Sequence, residues 1–187
     1  MRLYSAENEQ KIGKYITVEE WARIEHEISF KIKPFVHLGY YYGLRRAESL
    51  AASIDWVFEK NLIISRQLVE IAEGKSFYSP LKNRKTRQTP HWQVEAEFAY
   101  DIINGIKLRM HPDTLDDLFR QEMKKLGFDF HFHDLRRTFI TDMLKKHMPT
   151  VVKNAVGHSD IKTTMRYYQE IEQIDKPFQP KRKLKSV

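Results

Sequence analysis

Residues 155–172 read AVGHSDIKTTMRYYQEIE. Gly157 ends a short run that starts with Pro149, the pattern of a helix with proline at its start and glycine just past its end. Ser159 or Asp160 can cap a following helix, which carries Tyr167 and Tyr168 side by side. On a helix these two side chains diverge by about 100°, so they cannot serve the same site. His158 stands nine residues before Tyr167. Whether one tyrosine is a chemical group or both are packing aromatics depends on what the rest of the chain brings to this helix.

Working outward, helical signals dominate. Thr17 is a candidate N-cap, with Glu20 three residues on as its capping-box partner. Residues 33–53 predict a helix, a break at Gly43 and a short third helix. Residues 94–110 predict a helix with Gly105 as a weak point, and residues 111–127 another, closed by Gly127. In residues 133–147, Leu135, Phe139, Met143 and Leu144 form an apolar stripe at helical spacing. Residues 53–71 are rich in Ile, Val, Trp and Phe and predict two strands turning near Glu59, Lys60 and Asn61. Residues 72–92 fit a strand, a basic hairpin and a further strand. The expected fold class is α+β, mostly helical with a small three-stranded antiparallel sheet. One domain is expected over residues 15–170, after a polar lead-in (1–14) and before a Pro-containing basic tail (171–187).

The chain has 187 residues, enough for one domain with a real core. Thirty-two Lys and Arg against 25 Asp and Glu leave +7, which favours a polyanionic partner. With no cysteine, disulfides, thiolate catalysis and cysteine-ligated zinc are excluded. No apolar run approaches the roughly 20 residues of a membrane span, and residues 1–15 lack a signal-peptide core. A cytoplasmic location is expected.

Four stretches carry chemistry. In GLRRAESL (43–50), Glu48 lies at i+3 from Arg45, so a carboxylate can hold a guanidinium fork that matches phosphate oxygens; a plain surface ion pair is the alternative. In HDLRR (133–137), His133 and Arg136 share a helix face, while Arg137 points about 100° away. LKNRKTRQTP (81–90) carries Lys82, Arg84, Lys85 and Arg87 without an acid. That suits DNA-backbone contact, and crowding by positive charge would also lower a lysine pKa toward proton donation. His158 and Tyr167 complete the set. His131, His133 and His158 could instead form a metal site, with the first two on one side of a strand, but the adjacent arginines oppose a divalent cation. A serine hydrolase is disfavoured further still: there is no G-x-S-x-G, and no serine has a plausible base and orienter nearby. Two arginine forks, two histidines, a lysine and a tyrosine, with no acidic cluster for magnesium, suit a reaction in which side chains meet the charge of a phosphate and a tyrosine forms a covalent ester.

In order and spacing, GLRRAES, LKNRKTRQTP, HDLRRTF and VGHSDIKTTMRYY resemble the catalytic domain of the tyrosine recombinases, the phage integrase family, over residues 15–170. The resemblance implies site-specific DNA cleavage and rejoining through a 3′-phosphotyrosyl link, with no cofactor, metal or ATP. By position, Arg45 and Arg136 would bind the scissile phosphate and Glu48 would support the site. Lys82, with Lys85 as rival, would protonate the leaving 5′ oxygen. His133 would assist proton transfer, His158 would hydrogen-bond the phosphate, and Tyr167 would be the nucleophile. Arg46, Arg84, Lys85, Arg87 and Arg137 would contact DNA. The implied partners are double-stranded DNA at recombination sites, four protomers on two sites, and DNA-bending accessory proteins, at the nucleoid. The motifs start too early for the family's usual amino-terminal domain: either this is an excised catalytic domain, for which weak DNA affinity is expected of this chain alone, or the protein is naturally minimal. The tail would be exchanged between protomers or would contact DNA. Two other outcomes stay open: type IB topoisomerase-like relaxation, and a non-catalytic DNA-binding protein on the same fold.

Overall fold

The computed structural model describes residues 14–71, 75–81, 85–107 and 110–174. Lys82, Arg84 and nearly all of the expected lead-in and tail therefore lie outside the described residues. Helix α1 (Val18–Glu27) begins on the expected capping box: the Thr17 hydroxyl accepts the Glu20 N–H at 3.3 Å, and the Glu20 carboxylate accepts the Thr17 N–H at 2.8 Å. Helix α2 (Lys33–Tyr42) starts with Pro34 in its first turn and buries Phe35, Val36, Leu38 and Tyr42. It stops at Gly43, whose φ of 62° is left-handed. A single turn, α3 (Arg46–Ser49), follows.

The sheet region differs from expectation. Ile54–Trp56 is one 3-10 turn rather than a strand, and only an isolated bridge, Val57 to Leu62, spans the turn at residues 59–60. The strands are β1 (Asn61–Ile64), β2 (Arg66–Ile71), β3 (Lys75–Pro80) and β4 (Arg87–Pro90). They form two antiparallel pairs instead of one three-stranded sheet: β1 with β4, and β2 with β3. The centre of the expected basic hairpin between β3 and β4, residues 82–84, lies outside the described residues. In the register of the two pairs, Ile64 faces Arg87 and Arg66 faces Pro80. The chain thus passes from the β1–β4 pair to the β2–β3 pair at Ser65. The physical reason is burial: Leu62 and Ile64 point into the core and seat β1, whereas β2 and β3 leave Ile71, Phe77 and Tyr78 exposed.

The remaining helices are α4 (Ala96–Asn104), α5 (Pro112–Lys125), α6 (Phe132–Leu144), α7 (Pro149–Val156) and α8 (Ile161–Ile174). Gly105 ends α4 rather than weakening its middle. Gly127 and Gly157 follow α5 and α7 with φ of 79° and 68°. Helix α2 is central. It packs against α6 and α4, and its outer neighbours α1 and α5 complete one apolar cluster around Ile24, Phe35, Phe119 and Leu135. A second cluster joins α2, α4 and β1 around Leu38, Trp56 and Leu62, and a third joins α6, α7 and the Tyr167–Tyr168 turn of α8. Among the described residues no helix is long and apolar enough to cross a membrane.

Gly43 joins fold and site. A Cβ there would lie 2.5 Å from the Phe139 ring, in addition to the strain of a positive φ. A Gly43→Ala substitution is expected to cost about 2–5 kcal/mol, read as a drop in the urea midpoint without a change in slope.

Candidate active site

Glu48 is the centre. It sits three residues after the cap of α3 and is 1 % exposed. Its carboxylate accepts the Arg45 backbone N–H at 2.8 Å and the Arg45 guanidinium at 2.8 Å. Arg87, from β4, donates to it at 2.5 Å, and the guanidinium of Arg136, from α6, comes within 3.9 Å. Burial alone would push the Glu48 carboxyl up. Arg87, Arg136 and Arg45 outweigh that and hold it at about 2, so it is an anion at every working pH.

Each buried arginine is anchored to main chain. Arg136 donates to the carbonyls of Gly43 and Val156, both at 2.6 Å. These carbonyls lie at the C-terminal ends of α2 and α7, where helix dipoles place partial negative charge. Arg87 donates to the Ala155 carbonyl at 2.5 Å and to the Thr89 hydroxyl at 3.0 Å, and Thr89 donates to the same carbonyl at 2.8 Å. Gly157 makes room for this packing: a Cβ there would meet Arg87 Cδ at 2.7 Å.

The cluster is short of negative charge. Three guanidiniums face one carboxylate, which leaves two positive charges unbalanced. Burial first, and then Arg87 and Arg45, press against the charge of Arg136. A guanidinium stays protonated all the same, so the arrangement favours an incoming anion. Arg45, whose side chain is 44 % exposed, opens this charge to solvent. Arg45, Glu48 and Arg87 line a cleft of about 1150 Å³, together with Lys85, Trp92, Lys153 and His158.

His158 and Tyr167 flank the cluster. The His158 Nδ1 lies 2.9 Å from the buried Thr164 hydroxyl. With that hydroxyl donating, Nε2 carries the proton and is free to donate. Burial, then Arg136, Arg45 and Arg87, push the His158 pKa down to about 3, so the ring is neutral near pH 7. The Tyr167 ring stacks on it, centroids 6.2 Å apart and 17° from parallel, and the Arg137 guanidinium lies 5.2 Å over the Tyr167 ring. Tyr167 is close enough to Arg136 to act on its charge. His133 opens to the surface on the second residue of α6. Partial desolvation, then Arg136, lowers its pKa.

The sequence model of the phage integrase family matches residues 14–173. The chain belongs to the phage integrase family. A tyrosine recombinase of Pseudothermotoga lettingae is 27 % identical over 141 residues, 72 % of this chain and 48 % of that protein. Tyrosine recombinase XerA of Saccharolobus solfataricus is 31 % identical over 127 residues, 67 % of this chain and 41 % of that protein. The chain thus spans less than half the length of these relatives. Among solved structures, the Tn1549 transposon integrase in complex with a circular intermediate DNA superposes with a TM-score of 0.73 at 16 % identity, over 90 % of this chain and 68 % of that one. The catalytic domain of bacteriophage HP1 integrase gives 0.62 at 19 % identity, over 84 % and 88 %. The expected class, helical with a small antiparallel sheet, is that of these phage integrase family folds.

Within this phage integrase domain, the fold brings Arg45, Glu48, Arg136, His158 and Tyr167 together. Arg87 does not sit where its expected DNA contact needs it. It is 6 % exposed and its guanidinium is committed to Glu48, Thr89 and Ala155. Its inward position in the β1–β4 ladder decides this, a pairing the basic composition of the stretch concealed. Arg46 is turned toward α5, bonding Asp116 and, at 3.4 Å, Asp113. Lys85 is exposed on the cleft. The suspected His131–His133 pair lies at a helix start, not on a strand: His131 is the cap of α6. Among the described residues, the side chains close enough to share a metal are Glu70, His111 and Asp113 instead. Thr89 and Thr164 were not anticipated, and a lone threonine at a sheet or helix position gives no signal in sequence.

Proposed function

We propose that this domain cleaves and rejoins DNA strands at specific sites through a 3′-phosphotyrosyl intermediate, with Tyr167 as nucleophile. The observation that carries the reading is the pair of unbalanced positive charges around Glu48, beside a tyrosine stacked on a neutral histidine. In this reading Arg45 and Arg136 take the scissile phosphate and the His158 Nε2–H donates to it. The Tyr167 oxygen attacks phosphorus as the bond to the 5′ oxygen breaks. His133 accepts the phenol proton, and Lys82, or its rival Lys85, protonates the departing 5′ oxygen. Attack by a 5′ hydroxyl reverses the step, so the bond energy is retained and ATP has no part. Transition-state charge is met by preorganised guanidiniums rather than a metal.

The proposed partner is double-stranded DNA; the Tn1549 relative is in complex with a circular intermediate DNA. Arg137, Lys85 and Arg84 are its further proposed contacts. Recombination by four protomers on two sites, with DNA-bending accessory proteins, at the nucleoid, is the assembly that the resemblance supports.

The test is a nicked duplex whose short 5′-hydroxyl fragment leaves after cleavage, drawn from a pool of sequences flanking the source gene and used in EDTA. An SDS-resistant protein–DNA adduct is expected. Joining of two sites separates recombination from topoisomerase-like relaxation, in which only superhelical turns are lost. Binding without an adduct would favour a non-catalytic DNA-binding protein.

A pH prediction follows. With a pKa of about 3, His158 does not titrate between about pH 5 and 8. The ratio of adduct-formation rates for wild type and His158→Gln is therefore expected to stay constant across that window. A ratio that collapses on acidification would mean that His158 works as a cation.

A further inference from the structure

The chain entering the domain is fastened to the helix that carries His133 and Arg136. The Lys14 backbone N–H donates to Asp134 Oδ1 at 3.0 Å, and the Lys14 ammonium donates to the Asp129 carbonyl at 2.9 Å and to its carboxylate at 2.5 Å. The Tyr15 hydroxyl donates to Asp142 at 2.8 Å, with the Lys145 ammonium 5.0 Å over the Tyr15 ring. The Ile16 N–H donates to the Thr138 hydroxyl at 3.0 Å, and Ile16 itself is fully buried. Three consecutive residues thus make three bonds to Asp134, Thr138 and Asp142, spaced four apart along one face of α6. His133, Arg136 and Arg137 project from the other face, since a helix turns about 100° per residue.

Asp134 links the two sides. Its Oδ1 receives the strap while its Oδ2 accepts the His131 N–H at 2.7 Å, the bond that caps the first turn of α6. His133 lies within that turn. Arg136 stands one residue beyond it, with 2.6 Å bonds to Gly43 and Val156 that need α6 in one register. A buried carboxylate that shares its oxygens between a remote backbone N–H and a helix cap makes the cap depend on the remote segment.

We propose that residues 14–16 form a positioning strap for α6, and that Asp134 and Tyr15 are positioning residues through which this segment governs the geometry of His133 and Arg136. The proposal rests on the function proposed above. Unseating the strap slows strand cleavage without weakening the grip on DNA, because the residues it touches face away from the cleft. Misplacement of reacting groups by about 1 Å is enough to cost on the order of 100-fold in rate.

The test uses the full chain with two substitutions, Tyr15→Phe and Asp134→Asn, the first removing a single hydroxyl and so sparing the fold. Three quantities are read: adduct-formation rate at saturating nicked duplex, duplex affinity by fluorescence anisotropy, and amide hydrogen exchange in the first turn of α6. The expected result is a rate lowered about 10- to 100-fold, affinity within about twofold of wild type, and faster exchange in that turn in both variants. Unchanged rates, or rates that fall only in step with affinity or with the folded fraction, overturn the proposal. If the wild-type chain forms no adduct, the function reading fails on its own. The strap is then judged by exchange: unchanged protection of α6 in both variants overturns it.

Discussion

A Tyr167→Phe variant is expected to form no SDS-resistant adduct on the nicked duplex, a loss of at least about 10³-fold, while Tyr168→Phe continues to form it. The substitution removes one oxygen and leaves the ring that stacks on His158 and lies under Arg137. Stability and DNA affinity are therefore expected to stay within about 1 kcal/mol of wild type. Both tyrosines border the α6–α7 apolar cluster, but only Tyr167 has a ring placed against His158 and a position felt by Arg136. An adduct retained by Tyr167→Phe and lost by Tyr168→Phe would reverse the assignment. Retention by both variants would move the nucleophile off α8 altogether.

The second large effect concerns Glu48. Glu48→Ala strands Arg87 and Arg136, both nearly fully buried, without their shared counter-ion. Removing one partner of a buried charge network costs about 3–5 kcal/mol. For a domain of this size that corresponds to a fall in melting temperature of roughly 6–20 °C. Cleavage is expected to drop further than the loss of folded protein, since Arg45 is aimed by two bonds from the same carboxylate. Glu48→Gln keeps the shape and one acceptor oxygen, and is expected to fall between the two.

The same carboxylate sets an acid limit. Its folded pKa of about 2 lies below the ordinary 4.5. The unfolded chain therefore binds the proton first as pH falls. The stabilisation is complete above about pH 4.5 and disappears toward pH 2, about 3 kcal/mol in all. Glu48→Gln lacks this titration. Urea midpoints measured between pH 6 and about 3 should converge for the two proteins. A constant gap across that range would place the Glu48 pKa at its ordinary value.

Most helices were legible because their signals are local. Thr17 with Glu20, proline at the start of α7 and glycine after α5 and α7 act within a turn or two of the chain. The pairing of Arg45 with Glu48 is also local, three residues apart on one turn, and the sequence left open whether it was a held guanidinium or a plain surface ion pair; burial of Glu48 makes it the first. The sheet was less legible. The first strand expected in residues 53–71 is a 3-10 turn, and β4 pairs with β1 across more than twenty residues, a choice that no short-range pattern records.

Arg87 illustrates the limit most clearly. In sequence it is one of four cations in an acid-free run, and such a run reads as a solvated DNA contact. In the fold, β1–β4 pairing turns it inward, Glu48 arrives from α3, and the Ala155 carbonyl arrives from α7. A buried cation needs partners, and all of these partners are distant in the chain.

The chain by itself determined the family, the order of the four motifs, and the basic character that suits a phosphate polymer. Only the tertiary structure decided that three arginines share one buried carboxylate, that two of them hold the carbonyl ends of α2 and α7, and that residues 14–16 are tied to the far face of α6. The reason is the range of the forces involved. Caps, turns and helical stripes are satisfied between near neighbours, so composition and spacing record them. A buried charge is satisfied by whichever groups folding brings to it, and that is settled only when the whole core has closed.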